Sequence, residues 1–147
     1  MNGFAALAVL LGLVAAATGA GLVWRSRTGR VRTSRSNERI TAHEVGAASF
    51  GTNATLLQFS TEFCAPCRAT ARVLAEIEGE RAGVAHREID LTHRPDLANR
   101  FGILQTPTTL ILDGAGTVRA RIGGAARVDD VRSTLDDLLR SPHVRTN

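Results

Sequence analysis

The 147-residue sequence contains two cysteines, no tyrosine and no lysine, and aromatic residues make up only 4% of it. Two cysteines cannot fill a four-ligand zinc site, and no second C-x-x-C or C-x-x-H motif exists. The histidines are too scattered in the chain to supply the missing ligands: His43, His86, His93 and His143. The shortage of aromatic side chains also leaves few platforms on which nucleic-acid bases could stack.

The positive charge is confined to one end of the chain. Residues 1–39 hold six Arg and one Glu, or +5, and residues 40–147 hold twelve Arg and thirteen acids, or −1, which together give the net +4. A nucleic-acid-binding domain requires a basic face on its folded part. The charge distribution therefore argues against a nucleic-acid partner.

Charged residues are absent from Phe4 to Trp24, where the clearly polar side chain is that of Thr18. As a helix this segment would be roughly 31 Å long, close to the hydrocarbon thickness of a bilayer. We predict a transmembrane helix over residues 4–24. A cleaved signal peptide, with small residues at Ala15–Gly21, and a buried helix remain alternatives.

Residues 25–39 are rich in arginine and lack an apolar period, and we predict a flexible juxtamembrane linker near anionic lipid headgroups. Because short basic flanks stay in the cytoplasm, the following domain, residues 40–147, is expected on the cytoplasmic side of a single-pass protein. Small residues at Gly12, Ala16 and Ala20 would also permit a weak homodimer through the span.

The rest of the chain alternates between strand and helix patterns. A capping box formed by Thr41 and Glu44 predicts a short helix. The last predicted helix ends at residue 139, and residues 140–147 follow it. The pattern predicts an α/β fold with a mixed sheet flanked by helices. Its predicted strands are 54–60, 84–91, 108–112 and 117–122, and its predicted helices are 68–80, 95–101 and 128–139.

The two cysteines form a Cys64-Ala-Pro-Cys67 motif between a predicted strand and a predicted helix. A thiol at a helix N-terminus is favoured as the thiolate, and the second sulfur lies about one turn further on. Pro66 suits a first helical turn, where its missing N–H costs nothing. The motif therefore indicates a redox-active dithiol, with shared zinc or an inert pair as the alternatives.

Residues 50–140 resemble the thioredoxin family. The resemblance rests on an apolar strand, the Thr61–Arg68 segment around the cysteines, Thr106-Pro107 about 40 residues later, and a hairpin ending in Gly123-Gly124. It implies that Pro107 is cis and that the Thr106 backbone pairs with an extended substrate. It further implies that Phe63, Pro66 and Gly123 border that substrate. A trans Pro107 opening an edge strand is the alternative.

Two residues depart from the family's pattern. Phe63 replaces the usual tryptophan before the first cysteine, and Gln58 replaces a buried acid that is thought to take the proton of the second thiol. An amide can hydrogen-bond but cannot accept that proton. Glu62 or His86 could substitute through water, and Arg68 could favour the thiolate.

The resemblance implies a thiol–disulfide oxidoreductase that reduces partner-protein disulfides through Cys64, resolved by Cys67. It implies no flavin, haem or metal cofactor, so electrons must come from a separate reductase or membrane donor. Two alternatives are an extracytoplasmic protein supporting cytochrome maturation and a non-catalytic adaptor of the same fold.

Overall fold

The computed structural model describes residues 3–27, 29–34 and 37–140. The expected end of the domain, residues 141–147 with His143, and Arg35 of the expected linker lie outside the described residues. The helices are α1 Gly3–Arg27, α2 Ala42–Val45, α3 Ala65–Glu80, α4 Pro95–Arg100 and α5 Val128–Arg140, and the strands are β1 Val31–Thr33, β2 Ala54–Ser60, β3 Val84–Asp90, β4 Thr108–Asp113 and β5 Val118–Gly123.

The strands form one sheet in the order β1-β5-β4-β2-β3. Strands β2 and β3 are parallel, whereas the β2–β4, β4–β5 and β5–β1 pairs are antiparallel. All seven residues of β2, an interior strand between β4 and β3, are buried, as expected for a strand covered on both faces. The predicted mixed sheet is confirmed.

Two apolar cores cover the two faces of this sheet. On one face, Leu74 and Ile77 of α3 and Leu135 of α5 pack against Leu56 and Ile111. On the other face, Phe59 contacts Phe101 after α4, with ring centroids 5.5 Å apart. Because both faces are closed, the ends of the strands are where side chains can meet solvent and substrate.

Local signals explain the helix starts. The Thr41 side chain caps α2 and the Glu44 carboxylate accepts from the Thr41 N–H at 2.8 Å, so the predicted capping box is confirmed. Helix α3 begins at Ala65, three residues before the predicted start, because Cys64 serves as its N-cap. Pro66 then falls in the first turn, where no N–H partner is needed.

The segment from residue 29 to residue 40 differs from the predicted flexible linker. The strand Val31–Thr33 pairs antiparallel with β5, and Arg39 forms a bridge with Thr117. The open edge of β5 provides hydrogen-bond partners that local sequence does not reveal. The arginine-rich segment is thus, over much of its length, the edge of the sheet.

Helix α1 leaves its apolar surface uncovered. Residues 3–23 are all exposed and are long and apolar enough to cross a membrane. The Thr18 hydroxyl donates to the Val14 carbonyl at 2.8 Å, so the polar side chain of this segment is satisfied within the helix. A helix with these properties is stable in hydrocarbon, where every polar group needs an internal partner.

Candidate active site

Cys64 and Cys67 are joined by a disulfide at the start of α3, with their Cα atoms 5.2 Å apart. Cys64 is the N-cap, and its sulfur accepts from the Cys67 N–H at 3.2 Å. Sulfur in this position faces unpaired helical N–H groups and the positive end of the helix dipole. Once the disulfide is reduced, negative charge on the Cys64 sulfur is therefore stabilised there.

The two sulfur-bearing residues differ in their access to solvent. Cys64 is 8% exposed and Cys67 is 1% exposed, so a substrate sulfur can approach Cys64 first. Large apolar side chains stand out beside the site, with Phe63 93% exposed and Leu104 97% exposed. Both side chains are accessible to a partner that approaches the cysteines.

The loop before β4 adjoins the cysteine loop. The Thr61 and Thr106 hydroxyls are 3.3 Å apart, and the Thr106–Pro107 peptide bond is cis, as the resemblance implied. The Pro107 carbonyl accepts from the Gly124 N–H at 2.8 Å. Within the described part of the chain, the main-chain N–H and C=O of Thr106 have no hydrogen-bond partner. These groups are available to an extended peptide.

Beneath Cys67 lies a pair of polar side chains that sequence reasoning did not join. The fully buried Gln58 amide donates to the Cys67 carbonyl at 2.9 Å, and its oxygen lies 3.0 Å from His86 Nε2. Burial lowers the pKa of His86, while Glu88 and Glu78 act in the opposite direction. The register that pairs Leu56 with His86 in β2 and β3 brings the imidazole to this position.

The remaining predicted residues fall into two groups. Pro66 is exposed in the first turn of α3, and Gly123 pairs with Thr108 directly after the cis bond, so both border the site. The Gln105 amide occupies the space where a Cβ on Gly123 would stand, 2.4 Å from that position. By contrast, the side chains of Glu62 and Arg68 are exposed. Among the described residues, the bond between Arg68 and the cysteines is that of its main-chain N–H to the Cys64 carbonyl, at 3.3 Å.

Comparison with known proteins agrees with this geometry. The family model described as Thioredoxin matches residues 42–137. A thioredoxin from Alicyclobacillus acidocaldarius is 30% identical over 93 residues, covering 61% of this chain and 86% of that protein. Thioredoxin C-2 of Corynebacterium nephridii is 36% identical over 73 residues, covering 49% and 68% respectively.

Solved structures share the fold. The short form of thioredoxin f from spinach chloroplast aligns with a TM-score of 0.53 and 27% identity, over 62% of this chain and 80% of that chain. The segment matched by the family model contains the Cys64–Cys67 pair, the cis Pro107 and the five-stranded sheet except β1. The chain belongs to the thioredoxin family and is a thioredoxin-like disulfide oxidoreductase with Cys64 and Cys67 as its cysteine pair.

Proposed function

We propose that this protein is a membrane-tethered reductase of disulfides in partner proteins. The observation that carries the proposal is the position of Cys64, which caps α3 and is the more exposed residue of the pair. A thiolate stabilised at a helix N-terminus is both a competent nucleophile and a good leaving group.

The reaction proceeds by two exchanges. The Cys64 thiolate attacks one sulfur of the substrate disulfide, which forms a mixed disulfide and releases the other substrate sulfur as a thiolate. The Cys67 thiolate then attacks the Cys64 sulfur and releases the second substrate thiolate. The substrate gains two electrons, and the Cys64–Cys67 bond forms. A separate reductase or membrane donor of two electrons restores the dithiol.

The surroundings of Cys64 favour a protein substrate. The open main-chain groups of Thr106 can pair with an extended segment as an added strand does. Phe63 and Leu104 offer apolar contacts that a small thiol compound would not fill. Because Gly123 has no side chain, the Gln105 side chain has room beside this proposed substrate-binding position.

The tether is α1, whose exposed apolar surface needs lipid or another apolar partner. Its flank is basic: Arg25 and Arg27 end the helix, and Arg30 and Arg32 follow. The positive-inside rule then favours a domain on the cytoplasmic side. A topology reporter fused to the C-terminus tests the side, and a reporter active only outside the cytoplasm would favour the alternative role in cytochrome maturation.

The catalytic proposal is tested with the full chain in detergent, using insulin as the disulfide substrate and dithiothreitol as the electron source. We expect Cys64→Ser to abolish the catalysed reduction of insulin, because the remaining thiol, that of Cys67, is 1% exposed and a substrate sulfur cannot reach it. Cys67→Ser should accumulate mixed disulfides, which trap natural substrates for identification. Turnover by Cys64→Ser, or a wild-type chain without any activity, would contradict the reductase mechanism and favour an adaptor.

A further inference from the structure

The connection between α1 and the sheet is very short. Helix α1 ends at Arg27, and Gly29 already donates its N–H to the Gly123 carbonyl at 2.8 Å. One residue separates the helix from the docked chain. Gly29 is buried, and a Cβ there would lie 2.4 Å from the Ala125 carbonyl oxygen, so this docking is close.

The docking point is at the active-site end of the sheet. Gly123 pairs with Thr108, the first residue of β4 after the cis Thr106–Pro107 bond. From there the chain runs along β5 away from the site, with Val31 opposite Ile122 and Thr33 opposite Ala120. The other end of β5 is consequently the end far from the helix.

The covalent geometry limits how far the active-site end of the sheet can be from the bilayer. Val23 ends the apolar span, and the four helical steps from Val23 to Arg27 add about 6 Å. Two fully extended steps to Gly29 add at most about 7 Å. Gly29 therefore lies within roughly 13 Å of the end of the hydrocarbon-spanning segment, a distance comparable to the headgroup layer with its adjacent water.

Two further observations agree with this limit. A cleft of about 780 Å³ is lined both by Ala20 and Val23 of α1 and by Leu104 and Gln105 of the loop before Thr106. Arg30, next to the docking point, is exposed and positively charged. A cation this close to the headgroup layer is attracted by anionic lipids and holds the active-site end of the sheet toward them.

We infer that the dithiol works at the membrane surface, and that its substrates are disulfides of other membrane-inserted proteins located close to the bilayer. This inference rests on the proposed membrane-tethered reductase and adds the class of substrate. A span that stops one residue before the sheet keeps the active-site end near the lipid. Disulfides far above the membrane lie outside its reach.

The position of the active-site end is tested in vesicles of phosphatidylcholine and phosphatidylglycerol that carry a nitroxide on the headgroup. The full chain, with Cys64→Ser and Cys67→Ser, receives one fluorophore through Leu104→Cys or through Ala115→Cys. Ala115 is the matched control, because it is exposed in the turn at the opposite end of β5, about 17 Å or more along the strand. We expect strong quenching at residue 104 and weak quenching at residue 115.

A variant with a lengthened tether supplies the second comparison. Inserting about 15 Gly and Ser residues between Arg27 and Gly29 adds a root-mean-square reach of roughly 20 Å. The inserted residues leave β1 and its pairing intact. We expect this variant to lower the quenching at residue 104 to the level seen at residue 115.

The substrate class is tested with two reporter proteins, each with one membrane span. One carries its disulfide directly after the span, and the other carries it beyond a long rigid helix. In wild-type vesicles we expect the first to be reduced roughly tenfold faster, because the effective concentration depends on whether the tether reaches the site. The lengthened variant should remove this preference while reducing soluble insulin at the wild-type rate.

The outcomes separate the two proposals. Failure of the chain to float with the vesicles would overturn the membrane tether, and inactivity toward insulin would overturn the reductase. A chain that floats and reduces insulin but shows equal quenching at residues 104 and 115, or no preference between the reporters, would overturn only the membrane-surface inference.

Discussion

The amide oxygen of Gln58 lies 3.0 Å from His86 Nε2, while the amide nitrogen donates to the Cys67 carbonyl at 2.9 Å. Because a carbonyl can only accept, the orientation of the amide is fixed, and His86 Nε2 must carry the hydrogen of the second bond. The histidine therefore titrates at Nδ1. The group behind Cys67 is an amide linked to an imidazole, and among the described residues no carboxylate is hydrogen-bonded to either side chain.

This arrangement predicts the effect of Gln58→Asp. A carboxylate at this buried position can accept the proton of the Cys67 thiol, which the amide cannot do. We expect faster resolution of the mixed disulfide near neutral pH, measured by stopped-flow release of a fluorescent peptide between about pH 6 and 9. Burial of the carboxyl group should cost about 1–3 kcal/mol of unfolding free energy.

Gln58→Asn is the matched control, because its side chain has the length of aspartate and remains an amide. It should lose the contacts of Gln58 without any gain in rate. If the aspartate and asparagine variants resolve the mixed disulfide at the same rate throughout that pH range, proton removal at this position does not limit turnover.

His86 predicts a dependence of stability on pH. Burial lowers its pKa in the folded protein, whereas the unfolded chain titrates at the ordinary value of about 6.5. Between the two values the unfolded chain binds more protons, so the free energy of unfolding falls as the pH drops from about 6.5 through the folded pKa. Glu88 and Glu78 oppose the shift and limit its size, and Arg87 adds to it.

We expect His86→Gln to lose part of this acid sensitivity in urea titrations at about pH 7.5 and pH 5. Glutamine keeps a donor toward Gln58 but does not titrate. His43→Gln changes an exposed histidine of α2 and should retain the wild-type difference. Equal acid sensitivity in the wild type and in His86→Gln would exclude His86 as its source.

The exposure of Phe63 predicts that replacing it weakens substrate binding without changing the stability of the protein. Because the side chain is 93% exposed, Phe63→Ala should change the unfolding free energy by less than about 0.5 kcal/mol. Loss of an apolar contact with the substrate should raise KM for a protein disulfide several-fold and leave kcat nearly unchanged. Leu139→Ala, on an exposed position of α5 far along the chain, should leave both constants unaltered. A Phe63→Ala enzyme with wild-type KM would show that this side chain does not touch the substrate.

The sequence predicted the interior of this fold because its signals are local. The mainly apolar segment of β2, the capping box at Thr41 and the apolar stripe of α5 each depend on residues close together in the chain. The cis bond at Pro107 is different, because the intrinsic preference is for trans. Its prediction came from the family resemblance, and the structure confirms it.

The features that sequence reasoning missed depend on contacts between distant residues. Gln58 and His86 are 28 positions apart, and only the register of two parallel strands joins them. Strand β1 has three residues and lies among arginines, so it is too short to show alternation. It forms because β5 presents an open edge, which is a property of the assembled sheet.

The close packing of Gly29 predicts that its substitution weakens the pairing of β1 with β5. Gly29 has a φ of +78°, and a Cβ there would lie 2.4 Å from the Ala125 carbonyl oxygen. Gly46 has a φ of +72° with no atom within 4 Å of the corresponding position. It therefore shares the left-handed backbone of Gly29 but not the close approach of a carbonyl oxygen. Gly46→Ala should cost about 1–2 kcal/mol from the left-handed backbone alone. Gly29→Ala should in addition displace the segment from β5.

Hydrogen exchange measures this displacement directly. The Ser34 N–H donates to the Arg119 carbonyl at 2.8 Å, and its protection should fall in Gly29→Ala while protection in the interior strand β2 is retained. Gly46→Ala should leave the protection of Ser34 relative to β2 unchanged. Insulin reduction should continue in both variants, because neither residue touches the cysteines. Full protection of Ser34 in Gly29→Ala would mean that the backbone around Ala125 moves to accommodate the new methyl group and that β1 stays paired with β5.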